Sequence, residues 1–261
     1  MTDTNLPIIE TREGGIHRLH FNRPKVLNAI DSATAQALLA AVRRLQADPE
    51  VRVVILSGEG RAFMAGGDIS QFRDDPASVP ATLIEPLNAA LAILTTLRAP
   101  VIASIQGPVA GAGMSMALAC DLIVAADTTR FNFAYVNLGT CCDLGASWSL
   151  PRTVGLHKAL EIALLSDPID ATEALRLGLV NRVVPADSLA DETDKLARRL
   201  AAGAPIAQGT LKQLMRRSFE RDFAGQLEAE RQGFATCAAT ADFKEAVDAF
   251  LGKRPATYKG Y

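Results

Sequence analysis

Two apolar, β-branched runs each break off into a glycine-rich turn that leads toward a helix, and this pairing restricts the chain more than any other feature of its 261 residues. Val51 to Ser57 is followed by Arg61-Ala62-Phe63-Met64-Ala65-Gly66-Gly67-Asp68-Ile69, and Val101 to Ile105 by Gln106-Gly107-Pro108-Val109-Ala110-Gly111-Ala112-Gly113. A short apolar run without polar alternation reads as a strand covered on both faces, as in a parallel sheet with helices above and below. The same patterning predicts a strand over Ile16 to Phe21 and a helix capped by Asp31 or Ser32 that runs to about Ala47. It also predicts a helix from about Ala81 to Arg98, a short helix near Met114 to Ala119 and a strand over Leu122 to Ala126. The fold class is α/β.

From about Leu156 the pattern becomes almost wholly helical, with stretches near Lys158 to Leu165, Leu189 to Ala202, Pro205 to Arg217, Gln226 to Cys237 and Ala241 to Leu251. The expected organisation is a core over residues 1–195 and a helical region over 196–261. Apolar stripes such as Phe243, Val247 and Phe250 pack either on the same chain or on another subunit, and periodicity alone does not choose between these.

Composition excludes several classes. With 49% hydrophobic and 21% charged residues the chain can bury a sizeable core. Lys+Arg 27 against Asp+Glu 29 gives a net charge of -2, and no basic cluster interleaves with aromatics, so nucleic acid is not an expected partner. The N-terminal Met-Thr-Asp-Thr-Asn-Leu-Pro has neither a basic start nor an apolar run, and no segment approaches roughly 18 uninterrupted apolar residues. The expectation is a cytoplasmic protein with no membrane partner. The cysteines Cys120, Cys141, Cys142 and Cys237 have no spacing suited to zinc and read as reduced thiols. His17 and His20 lie three apart on a strand and point to opposite faces, so no metal site is expected there.

Both glycine-rich turns have the form of backbone-donor sites. Glycine leaves room for a ligand, and a turn that enters a helix offers free N–H groups at its positive end. Together they form a candidate two-donor oxyanion hole; the alternative is a pair of tight strand-to-helix turns. A dinucleotide fingerprint fails, because Met116 stands where a third glycine belongs and no acid is placed for a ribose.

Four motifs in order, Asn22-Arg23-Pro24-Lys25-Val26-Leu27-Asn28-Ala29, the Ala-Phe-Met-Ala-Gly-Gly-Asp-Ile loop, the Gln-Gly-Pro-Val-Ala-Gly-Ala-Gly loop and Cys120-Asp121, resemble the enoyl-CoA hydratase/isomerase (crotonase) superfamily. The resemblance runs from about residue 8 to the C-terminal Ala-Phe-Leu-Gly-Lys-Arg-Pro. It implies a spiral of ββα turns with a C-terminal helical trimerisation region, assembled as a homotrimer or as a hexamer built from two trimers. It implies an acyl-CoA thioester substrate, with coenzyme A part of the substrate and no separate cofactor. By the resemblance, the backbone N–H groups of Gly67 and Ala112 hold the thioester oxygen, and CoA contacts come from Lys25, Leu27, Ala65, Asp68 and Ile69. Asp68 is weighed more as the residue that orders its loop than as a catalytic group.

Hydratases of this family carry two glutamates, and both positions differ here. Ser115 stands two residues beyond Gly113, and Tyr135 four residues before Gly139. Neither is a strong base near neutral pH. Asp143, in the run Leu138 to Arg152, resembles the acid of enoyl-CoA isomerases, and the stretch with Trp148 is similar to the phenylacetate-pathway ring-epoxide isomerase. One carboxylate suffices for isomerisation, since it can take the C2 proton of a 3-enoyl thioester and return it at C4. Burial beside Leu138, Leu144 and Trp148 is expected to raise its pKa. Tyr135 and Ser115 are candidates for contact with the acyl chain or a water. An aromatic-CoA dehalogenase is disfavoured because Asn88 stands where its histidine base is needed. The remaining alternatives are an enoyl-CoA hydratase or other lyase of fatty-acid or aromatic-acid degradation, a thioester hydrolase, and a non-catalytic CoA-binding protein.

Overall fold

The computed structural model describes residues 6–261; the N-terminal reading above rests largely on residues 1–5, which lie outside the described residues. The described part opens with an antiparallel hairpin of β1 (Ile8–Glu13) and β2 (Ile16–Phe21). α1 (Ser32–Ala47) begins where the Asp31 side chain accepts the Thr34 N–H, the cap read from the sequence. β3 (Val53–Gly58), α2 (Ile69–Asp74), α3 (Glu85–Thr96), β4 (Val101–Ile105), β5 (Pro108–Ala110) and α4 (Ala112–Ala119) follow. The next elements are β6 (Leu122–Ala126), β7 (Arg130–Asn132), α5 (Ala146–Val154), α6 (Leu156–Leu165), β8 (Ile169–Asp170), α7 (Ala171–Arg176) and β9 (Arg182–Val184). The chain ends with α8 (Leu189–Ala201), α9 (Pro205–Arg216), α10 (Phe223–Ala238) and α11 (Ala241–Leu251).

Six strands form one sheet in the order β1-β2-β3-β4-β6-β9, parallel throughout except for the β1–β2 pair. A second sheet, β5-β7-β8, gives the successive turns their strand–strand–helix character. Because side chains alternate along a strand, the large sheet feeds two cores. Leu19, Phe21, Val54, Leu56, Ala103 and Ile105 pack under α1, α3 and α4 on one face. Ile16, Val53, Ile55, Ile102 and Val124 meet Leu189, Leu196 and Ala197 of α8 on the other. The apolar runs are covered on both faces, as their lack of alternation implied.

One strand was not expected, and two local expectations change. β1 carries no apolar signal because only Ile8 of its six residues is buried. The helix expected from Ala81 starts as a π-helical turn at Pro80–Ile84 and passes into α3. The stretch after Leu156 is not purely helical: β9 completes the large sheet beside β6, and its three residues are too few to show a period. Residue 195 lies inside α8.

α9 is tied to the body by a cluster of ion pairs. Lys212 Nζ lies 2.7 Å from Asp121 Oδ2 and donates to the carbonyls of Leu94 and Ala99, while Arg216 donates to Asp121 Oδ1 and the Ala119 carbonyl. Burial, opposed by the attraction of Asp121, holds the Lys212 amine below its ordinary pKa. Among the described residues no helix is long and apolar enough to cross a membrane, and no three His, Cys, Asp or Glu are grouped to hold a metal ion.

Candidate active site

Three loops at the ends of β2, β3 and β4 are stitched together by backbone hydrogen bonds. Ala65 N–H donates to the Leu27 carbonyl over 3.0 Å, Ile30 N–H to Gly66 over 2.8 Å, and Ala110 N–H to Met64 over 3.0 Å. Two glycines make this approach possible. Gly111 has φ 49° and ψ -120°, a conformation open to glycine and costly for other residues. A Cβ on Gly113 would lie 2.2 Å from the Met64 carbonyl oxygen, so only glycine lets the first turn of α4 meet the β3 loop. The same contact sets the Gly111 backbone against Gly66, whose Cα is 3.8 Å from where a Gly111 Cβ would stand. Neither the Gly67 N–H nor the Ala112 N–H meets an acceptor among the described residues. Ala112 is the first residue of α4, where an N–H has no partner within the helix.

Lys25 and Leu27 belong to the first of these loops and Ala65, Asp68 and Ile69 to the second; Lys25 and Ile69 are exposed, Leu27 and Ala65 half-buried. The structure therefore brings together the residues singled out for CoA contact. Asp68 caps α2, accepting from the Ser70 hydroxyl at 2.6 Å and pairing with Arg23 at 3.0 Å. These partners, the Ser70 hydroxyl foremost, hold its carboxyl below the usual carboxylate range. Arg23 also pairs with Asp31 at 3.0 Å, so one guanidinium holds the caps of two helices. Buried Asn28 joins the β2 loop to the β3 loop by donating to the carbonyls of Glu59 and Ala62. The clamping by Arg23 and Asn28 was not foreseen from the motif that contains them, because it depends on partners some 30 to 45 residues away.

On the α5 side, Ser115, Tyr135 and Asp143 form one hydrogen-bonded chain. The Tyr135 hydroxyl donates to Asp143 Oδ1 and lies 2.7 Å from Ser115 Oγ, which in turn lies 3.3 Å from the Gly111 carbonyl oxygen. Ser115 is fully buried and Tyr135 nearly so. Burial raises the Asp143 pKa against the opposing hydrogen bond from Tyr135, and burial together with the neighbouring carboxylate pushes the Tyr135 phenol well up. The chain suits both charge states of the acid. When Asp143 is ionised, Tyr135 donates to it and Ser115 to Tyr135. When Asp143 is protonated, every donor reverses and Ser115 bonds the Gly111 carbonyl.

The expected raised pKa is present, but its surroundings differ from the expectation. Of the three apolar neighbours, only Leu144 is buried, at 4% exposure; Leu138 is 52% and Trp148 39% exposed. Trp148 instead carries the Arg152 guanidinium 4.1 Å from its ring centroid. Backbone strain marks the site. Ala134 before Tyr135, Leu144 after Asp143, and Leu27 and Asn28 all have φ between 52° and 56°, the left-handed region that side chains disfavour. Beyond Leu144 and Gly145 a cavity of about 690 Å³ opens between α3, α5 and α9, with Asn88, Leu91 and Trp148 on its walls. The meeting of Tyr135 and Asp143 was not foreseen either, since the seven residues between them, a 3-10 turn at Val136–Leu138 followed by loop, carry no period.

Comparison with known proteins places these features in one group. The sequence pattern of the family described as enoyl-CoA hydratase/isomerase matches residues 11–261. The chain is 33% identical over 257 residues to 1,2-epoxyphenylacetyl-CoA isomerase of Escherichia coli K12, covering 97% of this chain and 98% of the relative. It is 34% identical over 248 residues to short-chain-enoyl-CoA hydratase of Clostridium acetobutylicum, covering 95% of each. Among solved structures, an enoyl-CoA hydratase from Polaromonas sp. JS666 superposes with a TM-score of 0.92 at 35% identity, covering 97% of this chain and 99% of that one.

Proposed function

The chain belongs to the enoyl-CoA hydratase/isomerase family, and from that membership we propose that it shifts the double bond of an enoyl-CoA thioester, with Asp143 as its one acid/base. The observation that carries this reading is the Ser115–Tyr135–Asp143 chain, which offers a single carboxylate whose hydrogen-bond partners suit both its charge states. Asp143 takes the C2 proton of a 3-enoyl thioester. The electrons pass into the thioester carbonyl, and the resulting enolate oxygen is held by the N–H groups of Gly67 and Ala112. The protonated Asp143 returns the proton at C4, and the product is the conjugated 2-enoyl thioester with no water consumed. An oxyanion donor of this kind is worth on the order of 10²–10³ in rate. The CoA moiety lies along the loops of Lys25 to Leu27 and Ala65 to Ile69 and enters as part of the substrate. Asp68 orders its loop through Arg23 and Ser70. Ring-epoxide isomerisation uses the same enolate and is the aromatic version of this reading, in line with the name of the Escherichia coli relative.

Hydration is the second reading, favoured by the hydratase names that predominate among the relatives. It needs a base for water and an acid for C2, and Tyr135 would have to stand in for a carboxylate while its phenol is pushed far from neutrality. The helical region past residue 196 is read as the oligomerisation surface of a homotrimer or hexamer, supported by exposed Phe223, Phe234 and Phe250. A cytoplasmic location fits the four free cysteines.

Ultraviolet absorbance distinguishes the two chemistries. The protein is mixed separately with a 3-enoyl-CoA and with crotonyl-CoA. A rise with the first is expected and reports conjugation; a fall with the second, with no rise in the first, would replace isomerisation by hydration. Asp143→Asn is expected to lower turnover by about 10²–10⁴, the usual share of a positioned acid/base, with CoA affinity kept. A variant that retains wild-type turnover would remove Asp143 from the mechanism.

A further inference from the structure

The face of the large sheet covered by α8 carries a polar row that the chemistry above does not use. His20 on β2 and Ser57 on β3 are direct partners in the parallel ladder, and both lie where their strands end. His20 Nδ1 is 2.6 Å from Ser57 Oγ, and its Nε2 is 2.7 Å from Glu59 Oε2. The Glu59 N–H donates to the Phe21 carbonyl over 2.8 Å, so the ladder continues past the strand ends and fixes all three residues in one frame. His20 and Ser57 border a cavity of about 710 Å³ floored by Ser104 and Gln106 and walled by Thr193 of α8, with Arg61 at its rim. The cavity lies between the sheet face and α8, toward the carboxyl ends of β2, β3 and β4. Its size falls within the roughly 300–1,000 Å³ usual for small-molecule sites.

The hydrogen bonds fix the tautomer of the neutral imidazole. An ionised carboxylate only accepts, so His20 Nε2 carries the proton it donates to Glu59; in a neutral ring the other nitrogen, Nδ1, is then the acceptor. In that neutral form the Ser57 hydroxyl is the donor of its bond to Nδ1. A hydroxyl that already donates to a basic nitrogen, whose opposite side is held by a carboxylate, has the arrangement of an activated serine nucleophile.

We propose that Ser57, His20 and Glu59 form a second, hydrolytic centre for short carboxylic esters, on the sheet face opposite the one against which Tyr135 and Leu144 pack. Ser57 Oγ forms a bond to the ester carbonyl carbon as its proton passes to His20 Nδ1. The carbon–oxygen bond to the alcohol breaks and the alcohol leaves with that proton. Water then attacks the acyl group on Ser57, giving its proton to His20, and the carboxylic acid is released as the serine is regenerated. Glu59 accepts the Nε2 hydrogen bond and orients the ring throughout. Arg61, which has no ion-pair partner among the described residues, offers its guanidinium to a negative substituent on the ester.

The test is to incubate the purified protein with p-nitrophenyl acetate and, separately, with a fluorophosphonate, followed by intact mass and peptide mapping. The expected result is p-nitrophenol release and one phosphonyl adduct per chain, mapped to Ser57. Ser57→Ala is expected to lose the adduct while keeping enoyl-CoA turnover, and His20→Asn to slow labelling at least ~10²-fold. Asp143→Asn is expected to label like wild type, which separates this centre from the thioester site. Absence of an adduct at Ser57 in the wild-type protein, or labelling at an unchanged rate in His20→Asn, overturns the proposal.

Discussion

In the proposed mechanism one carboxylate takes a proton and returns it, and what would hold Asp143 in both forms is a chain of two hydroxyls rather than a second acid. Tyr135 lowers the Asp143 pKa by donating to the ionised form, while burial raises it by more. Tyr135→Phe removes only the lowering influence. The acid limb of the kcat/KM profile is therefore expected to move to higher pH, with the oxyanion donors untouched; an unmoved limb would show that Tyr135 does not act through Asp143. The same raised pKa has a consequence for stability. A carboxyl whose folded pKa exceeds its unfolded value contributes stability below the unfolded pKa and loses it as pH rises through the folded one. Asp143→Asn is accordingly expected to gain in melting temperature relative to wild type between acid and neutral pH, and a constant difference across that range would contradict the buried carboxylate. Tyr135 and Asp143 could each be singled out from the sequence by position within motifs. Their hydrogen bond could not, because the segment that joins them is flanked by left-handed Ala134 and Leu144, conformations that side chains do not announce.

Among the elements, helix α9 shows how little of its attachment depends on apolar packing. Within it only Gly209 is buried, and that glycine lies against Arg98, where a Cβ would come within 3.0 Å of the Arg98 Cα. What fastens the helix is Asp121, which joins Lys212 and Arg216 to the N–H of Val101 at the start of β4. Removing that carboxylate leaves two largely buried cations without a counter-charge, and such losses cost about 3–5 kcal/mol. Asp121→Asn is expected to lower the urea midpoint by a corresponding amount, and a change under about 1 kcal/mol, the usual value of exposed pairs, would assign the attachment to other contacts. The strands and helices of the first half were readable from their apolar periods, and the Asp31 cap from its residue type. β1 and β9 were not, since one buried side chain or three residues carry no measurable period.

For the molecule as a whole, the C-terminal helices leave large apolar side chains uncovered within one chain: Phe219, Phe223, Phe234 and Phe250 are between 66% and 83% exposed. Uncovered surface of this kind marks an interface. Sedimentation is expected to give three or six times the 27.7 kDa chain mass, and the double variant Phe223→Glu, Phe250→Glu to sediment lighter; a wild-type monomer at micromolar concentration would contradict the proposed trimer or hexamer. The amino-acid sequence by itself determined the α/β layering, the two glycine-dependent turns with their free N–H groups, and the membership that the comparisons bear out, because each rests on local periods, on residue types that alone tolerate a given backbone, or on contiguous motifs. Only the tertiary structure decided that Tyr135 meets Asp143, that His20 meets both Ser57 and Glu59, that Arg23 holds two helix caps, and that Leu138 and Trp148 stay exposed. Those outcomes depend on the register of a parallel ladder and on loops closed by long-range hydrogen bonds, and neither leaves a pattern along the chain.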